Sequence, residues 1–584
     1  MKSGNLSSGR KRLNYVADFE TTTSPEDCRV WLWGLIPVQE NVEFEDMDYG
    51  ISIETFADRL NKDNTIVHFH NLAFDGCFIL DWLLKNGYRW VESHARPGDF
   101  TTLISKTKKF YSIKVKWLEG GSTEFRDSLK KLSMSVSSIA ESFDLPMSKL
   151  HMDYHDERPI GHEPTQDELD YLFSDVAIVS VALFQQFNMG MKKLTVGSDS
   201  LHEFKQLFGV KAFERSFPVL ALDIDKDVRG AYRGGWTYCD DRFSREMQGA
   251  GMVYDVNSLY PSIMYNCVLP WDYPVWFTGA PKKTDEYPLY VVSITFTAKL
   301  RDDHLPVIQV KSHPVFASTE YIREIEDPVT MMVTNVDLEL WEEQYEIDIL
   351  SYNGGWKFKG HVGFFKKYID KWSEIKNNST GGKRLIAKLH LNSLYGKFAT
   401  NPDVTSKVPY LSDEGVLSFK DNLKELRNPV YTAMGVFVTA YGRAITVRAA
   451  QANYDTFAYA DTDSIHLLTT DKPNGITVDN SLGNWKLEYE FDYAIFWRAK
   501  VYMERATVVP AKTRGEGVPE HHWAEGARVL DKPEYVTHVA GMPEPVQRNL
   551  TFSDFEDGRS FPGKLLPKHV SGGIVLLDVS YTLR

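Results

Sequence analysis

Tyr15-Val16-Ala17-Asp18-Phe19-Glu20 sets two carboxylates two residues apart in a β-like run. The strand period of two turns both to one face, where their oxygens can share a hard cation. The spacing alone is weak: with 80 acids in 584 residues, one acid lies two positions from another by chance roughly eleven times, so an exposed strand edge is the bland alternative. Two later segments change the balance. His70-Asn71-Leu72-Ala73-Phe74-Asp75-Gly76 follows a β-like run and carries a third acid into a strand-to-helix turn. Tyr171-Leu172-Phe173-Ser174-Asp175 puts a phenol and a fourth acid on one helical face. Four acids from three elements can surround two divalent ions that activate a water and neutralise the leaving oxygen of a phosphodiester, with Tyr171 hydrogen-bonding that water.

A second group begins at Met252-Val253-Tyr254-Asp255-Val256-Asn257-Ser258-Leu259-Tyr260-Pro261, where an acid ends an apolar strand just before a turn and a helix. Tyr459-Ala460-Asp461-Thr462-Asp463-Ser464 lies between two β-like runs, so a hairpin turn presents Asp461 beside Asp463. Asp255 and Asp463 can together hold two Mg²⁺ ions, one lowering the pKa of a primer 3'-hydroxyl and the other binding a triphosphate and stabilising pyrophosphate. Between them, Arg384, Lys388, Asn392 and Tyr395 fall within about 80° of one another on a helix. The cations suit phosphates and the ring suits base or sugar. A plain basic amphipathic helix with Leu385, Ile386 and Leu389 turned to the core explains the apolar positions but not the clustered amide and tyrosine.

The elements that position these groups divide at polar breaks. Before about 195, β-like runs (Tyr15 to Phe19, Thr65 to Phe69, Phe110 to Val115) alternate with helical segments such as Gln166 to Asn188, the pattern of one α/β domain. Beyond it, the strand Met252 to Val256 leads into a helix, and a long insertion runs to about 363. A basic helical region, a β-like piece from Asn401 to Asn428, a helix near Val436 to Tyr454 and a hairpin around Asp461 follow. Pro510 to Tyr535, rich in Gly, Pro and His, reads as loop.

Composition narrows the classes. A chain of 584 residues that is 43% apolar has room for several cores. The net charge of -14 argues against a protein that coats nucleic acid indiscriminately. Lys357 to Lys397 nevertheless carries +8, which suits a polyanion held in one place as well as it suits a solvated helix face. Cys28, Cys77, Cys239 and Cys267 lack metal or disulfide spacing, and no apolar run approaches ~20 residues. Met1 to Arg12 is polar and basic, without the apolar stretch of a secretory leader. A reducing, intracellular compartment and no membrane are expected.

The strings DFETTT, HNLAFDG, YLFSD, AYRGG, DVNSLYP, KLHLNSLYGK and YADTDS, in this order and spacing, resemble those of family B DNA polymerases, specifically the small protein-primed subgroup of podovirus-type phages. The resemblance covers nearly the whole chain. It implies an α/β and α+β multidomain fold: an RNase H-like 3'-5' exonuclease domain (1–195), then a right-hand polymerase. The latter would comprise palm (196–266 and 432–535), fingers (364–399) and thumb (536–584). Two insertions are implied, at 267–363 for contact with a priming protein and at 400–431 for processivity and strand displacement.

Carried over residue by residue, the resemblance makes Asp18, Glu20, Asp75 and Asp175 exonuclease metal ligands, with Tyr171 orienting water and Lys149 assisting. Thr21, Asn71, Phe74, Ser128, Leu129 and Tyr154 would grip a single-stranded 3' end. Asp255, Val256 and Asp463 would hold the polymerase metals, with Asp461 a further catalytic acid. Val256, Tyr260, Arg384, Lys388 and Tyr395 would meet the incoming nucleotide, Tyr260 excluding a ribose 2'-hydroxyl. Tyr232, Gly234, Gly235, Ser258, Asn392, Gly396, Thr439, Arg443, Lys500 and Tyr502 would contact DNA. The implied cofactors are two Mg²⁺ (or Mn²⁺) ions per site. The implied partners are template-primer DNA, deoxynucleoside triphosphates and a terminal protein, with the chain monomeric or paired with that protein, in the cytoplasm of an infected bacterium.

Two departures stand out. Thr439-Ala440-Tyr441-Gly442-Arg443 has glycine where the family usually has alanine, and His538-Val539 replaces a usual Lys-Cys before Ala540-Gly541-Met542. The competing readings are a nucleic-acid-primed polymerase, a DNA-binding replication accessory with two dead sites, and a nuclease with a relic polymerase half. All six principal carboxylates are present, which binding alone does not require.

Overall fold

The computed structural model describes residues 12–154, 156–311, 313–510 and 527–584. All of the start Met1 to Arg12 except its last residue lies outside them, as do residues 511–526 of the expected loop.

An eight-stranded sheet organises the first part of the described chain. Its central strands, Leu13–Thr21, Asn64–Phe69 and Ser122–Asp127, run parallel, and antiparallel strands flank them. Alternation along Leu13–Thr21 explains its place. Ala17 and Phe19 join one core with the helix Leu72–Lys85, while Val16 joins another with the helix Gln166–Asn188. Asp18 and Glu20 share the parity of Val16 and therefore turn toward the second helix. That helix opens with a reciprocal cap between Thr165 and Glu168 and runs 23 residues, as its apolar spacing predicts.

A second sheet has Gly251–Val256 at its centre, between Ser464–Leu467 and Trp485–Arg498, all antiparallel. The long buried helix Thr432–Gln451 lies behind it, and Gly381–Phe398 packs on that helix. The expected loop Pro510 to Tyr535 is wrong in its last part: Ala527–Val539 is a strand paired with Val501–Pro510. Pro533 is compatible with it, since an edge strand tolerates a residue without a backbone donor. The boundary expected between 535 and 536 falls inside this strand.

The segment 267–363 contributes a third, four-stranded antiparallel sheet, with the helix Asn335–Gln344 between two of its strands. The segment 400–431 holds the hairpin Lys407–Leu411 and Leu417–Asp421, which reaches back to the first sheet: Phe419 packs edge-on to Phe110 and to His569 of the C-terminal hairpin. That C-terminal hairpin, Ser560–Val570 with Gly573–Thr582, lays Val570, Ile574 and Val575 into the core of the first part. All four cysteines are free thiols. Among the described residues no helix is long and apolar enough to cross a membrane.

Candidate active sites

Asp18 and Glu20 stand near the carboxyl end of a parallel strand, and Asp75 follows in the first turn of the helix after the neighbouring strand. That is where open α/β sheets bind ligands. The chain enters this helix through Asn71 in the left-handed region, φ 79°, a conformation asparagine tolerates. With Tyr171 and Asp175 the three acids line one cavity of about 500 Å³. Lys149 Nζ donates to Asp175 Oδ2 at 2.6 Å, and the Tyr154 and Tyr171 hydroxyls share a hydrogen bond.

Burial, then the charge of Asp175, pushes Asp18 up to about 7. Burial, followed by Asp18, also raises Glu20 and Asp75; Asp175 is raised by burial despite Lys149. Such a site strains to hold its own negative charge. Asp75 Oδ1 and Asp175 Oδ1 are buried without a hydrogen-bond partner. Orphaned carboxylate oxygens with raised proton affinity fit a divalent cation. Among the described residues no three acids, histidines or cysteines form a ready-made cage. Mg²⁺ commonly takes one or two carboxylates and completes its shell with waters and phosphate oxygens, so the donor set still fits.

Thr21, Asn71, Phe74 and Tyr154 share the cavity wall. Ser128 and Leu129 do not. Ser128 is buried, its hydroxyl bonded to the Phe69 carbonyl and the His70 ring, and the Leu129 amide donates to Asp127. They brace the strand end instead of facing the cavity. Sequence reasoning missed Leu565, Ile574, Val575, Leu576 and Asp578, which close the cavity from the C-terminal hairpin. No local pattern connects residues some 550 positions apart.

At the second site Asp255 pairs across strands with Ser464, which in turn pairs with Asp461, and Thr462 at φ 64° makes the two-residue turn that carries Asp463. The Val256 amide donates to the Asp463 carbonyl at 2.8 Å, fixing the strand tip to the turn. Burial, then Asp463, pushes Asp255 up to about 7, and Asp463 is raised chiefly by burial. Lys486 Nζ lies 3.4 Å from Asp255 Oδ1, and Lys500 pairs with Asp461. Lys486 was also missed; its alternation with Glu488 along Trp485–Arg498 was the available signal.

On the helix Gly381–Phe398, Arg384, Lys388 and Asn392 are exposed and Tyr395 is half-buried, one face as expected. Its core side is Ile386, His390, Leu391 and Leu394, while Leu385 and Leu389 are only partly buried. Tyr395 meets Tyr260 with ring centroids 4.2 Å apart. Ser258, at φ 60°, opens the helix that holds Tyr260 and accepts a hydrogen bond from Lys376. Gly235 is required by contact: a β-carbon there would lie 2.7 Å from Thr462 in the turn between Asp461 and Ser464. Gly234 and Gly396 face open space, and Tyr232 is half-buried beside them. The Lys500 amide donates to the Tyr459 hydroxyl, and Tyr502 packs on Tyr459.

Thr439 and Arg443, expected to meet DNA, are engaged within the protein in this structure. Both are buried. Thr439 bonds carbonyls of its own helix, and Arg443 bonds Asp337 and the carbonyls of Arg233 and Gly234. Arg443 thereby ties its helix to the turn Tyr232 to Gly235.

The profile of the family described as DNA polymerase type B, organellar and viral, matches residues 57–163 and 151–482. The chain is 42% identical over 583 residues to the DNA polymerase of Bacillus phage Nf, spanning 98% of this chain and all of that protein. It is 41% identical over 585 residues to the DNA polymerase of Bacillus phage phi29, spanning 98% and 99%. The solved phi29 DNA polymerase complexed with primer-template DNA and incoming nucleotide superposes with TM-score 0.89 at 40% identity, covering 98% of this chain and all of that one.

Proposed function

This chain belongs to the family B DNA polymerases of the phi29-like podophages, and we propose that it pairs template-directed DNA synthesis at Asp255 and Asp463 with 3'-5' proofreading at Asp18, Glu20, Asp75 and Asp175. Polymerase activity itself comes with the family. The observation that carries the proofreading half is the cavity that gathers four acids, Tyr171 and Lys149 from separate elements, apart from the Asp255 hairpin.

Two divalent cations, Mg²⁺ or Mn²⁺, bound by each acid set would activate the attacking oxygen and neutralise the leaving one. The chain's own groups do the rest. Lys149 steadies Asp175 for its ligand role, and Tyr171, bonded to Tyr154, is within reach of a water beside the acids. Thr21, Asn71 and Phe74 offer a hydroxyl, an amide and a ring to a frayed 3' end. At the second site Val256 joins Asp255 and Asp463 at the strand tip. Arg384 and Lys388 meet the triphosphate, Tyr395 the base or sugar, and Tyr260 the sugar's 2' position. Lys500 and Tyr502 steady the primer terminus. Because the hairpin in 400–431 touches both the first sheet and the C-terminal hairpin, it can close a path around DNA and favour strand displacement.

The ligands follow from the phi29 relative, whose solved complex holds primer-template DNA and incoming nucleotide. A terminal protein supplying the first hydroxyl, through the segment 267–363, completes the reading. Asp463→Ala should abolish primer extension and spare 3' degradation, and Asp18→Ala with Glu20→Ala the reverse; loss of both activities in either variant contradicts two separate sites. Incubation with a candidate terminal protein and labelled deoxynucleotide should give an alkali-sensitive protein-nucleotide adduct, and no adduct means ordinary nucleic-acid priming.

A further inference from the structure

Tyr260 sits between two neighbours. Tyr395 lies against it, ring centroids 4.2 Å apart and planes tilted by 34°. The buried helix Thr432–Gln451 runs against its ring edge, and the residue at the contact is Gly442. A β-carbon at 442 would lie 3.1 Å from Tyr260 Cε1, tighter than most carbon contacts, but 3.5 and 3.7 Å from Leu259 and Ile263, which is ordinary contact. Only the tyrosine would have to move.

The helix cannot yield in its place. Next to Gly442, the Arg443 guanidinium is held by Asp337 and two carbonyls. One turn on, Thr446 Oγ1 donates to the Thr462 carbonyl at 2.7 Å. This helix is buried along most of its length, so the ring is the part that gives, away from the helix and against Tyr395.

We propose that Gly442 is a positioning residue for sugar selection: its missing side chain lets the Tyr260 ring stand back from the incoming nucleotide, and so sets the room at the sugar's 2' position. This rests on the reading of Tyr260 as the ring that meets the sugar. Packing transmits the effect, since a close-packed neighbour passes on a few tenths of an ångström.

The test is single-nucleotide extension of a primer-template with deoxy-, 2'-fluoro-deoxy- and ribonucleoside triphosphates, comparing kcat/KM for the parent, Gly442→Ala, Tyr260→Val and the double variant. Alanine is favoured over glycine inside a helix, and 3' degradation of single-stranded DNA reports on the integrity of each preparation. Gly442→Ala should raise discrimination against the 2'-substituted nucleotides, graded by substituent size, to roughly tenfold for ribose, the effect of one methylene in a tight pocket. In the Tyr260→Val background it should change nothing. If Tyr260→Val fails to admit ribonucleotides, the sugar-contact reading itself falls. If it admits them while Gly442→Ala leaves the ratio unchanged or lowers it, only this proposal is overturned. Loss of both activities in Gly442→Ala also overturns it, by making the glycine a requirement for folding.

Discussion

Asp337 and Arg443 form a buried bidentate ion pair, with Arg443 Nη2 2.7 Å from each carboxylate oxygen. Arg443 Nη1 donates to the carbonyls of Arg233 and Gly234, also at 2.7 Å. One guanidinium thus ties together the helices Asn335–Gln344 and Thr432–Gln451 and the Tyr232 to Gly235 turn. Removing one partner of such a pair strands the other's charge, at a cost of about 3–5 kcal/mol. Asp337→Ala should lower the urea midpoint accordingly, and Asp337→Asn, which keeps an acceptor, should lower it less. Equal stability of the parent and the alanine variant would show that Arg443 finds other partners.

The pair also marks where the sequence stops being informative. Strand period and helical spacing carried Asp18, Glu20 and the Arg384 to Tyr395 face, because both depend on neighbours within a few residues. Asp75, at a strand-to-helix turn, and Asp175, on one helical face with Tyr171, gave that first pair its weight. Asp337 with Arg443, and Leu565 or Val575 on the first cavity, are joined only by tertiary packing, and no periodicity encodes that. For the same reason the carboxylate opposite Arg443 is legible only in the fold.

Lys149 should matter to one activity alone. Burial works against its ammonium, but Asp175 outweighs that and raises its proton affinity, so it stays charged beside the acid cluster. Lys149→Met removes a fixed positive charge where negative charge develops, and 3' degradation should fall about a hundredfold. Primer extension should hold. A parallel drop in both would place the lysine in the general scaffold.

Acid should weaken the fold through two histidines. Burial pushes His68 and His390 down to about 3, and His390 lies flat on Trp372 with ring centroids 3.8 Å apart. Below about 6.5 the unfolded chain takes up these protons and the folded one does not. Their stabilisation is therefore complete above that pH and drains away as pH falls toward 3. Asp18 and Asp255, raised to about 7, act oppositely, since the folded state protonates them first. Urea titrations of parent and His390→Gln at pH 7.5 and 5.0 separate the two. The parent should lose more on acidification than the variant, and identical losses would mean that His390 is not held neutral.

Lys486 competes with any cation for Asp255. Its ammonium lies 3.4 Å from Asp255 Oδ1 and also pairs with Glu488, so it offsets charge that a divalent ion would otherwise meet. A unit charge about 6 Å from a dication is worth roughly 1.4 kcal/mol, about tenfold in affinity, even at the dielectric constant of water. Lys486→Ala should therefore lower the Mg²⁺ concentration for half-maximal primer extension at pH 8. The requirement of 3' degradation, proposed to rest on Asp18, Glu20, Asp75 and Asp175, should not move. Titrating Mg²⁺ against both activities in one preparation decides the matter. If the extension curve instead shifts to higher Mg²⁺, Lys486 holds Asp255 in its ligand position and does not oppose the ion.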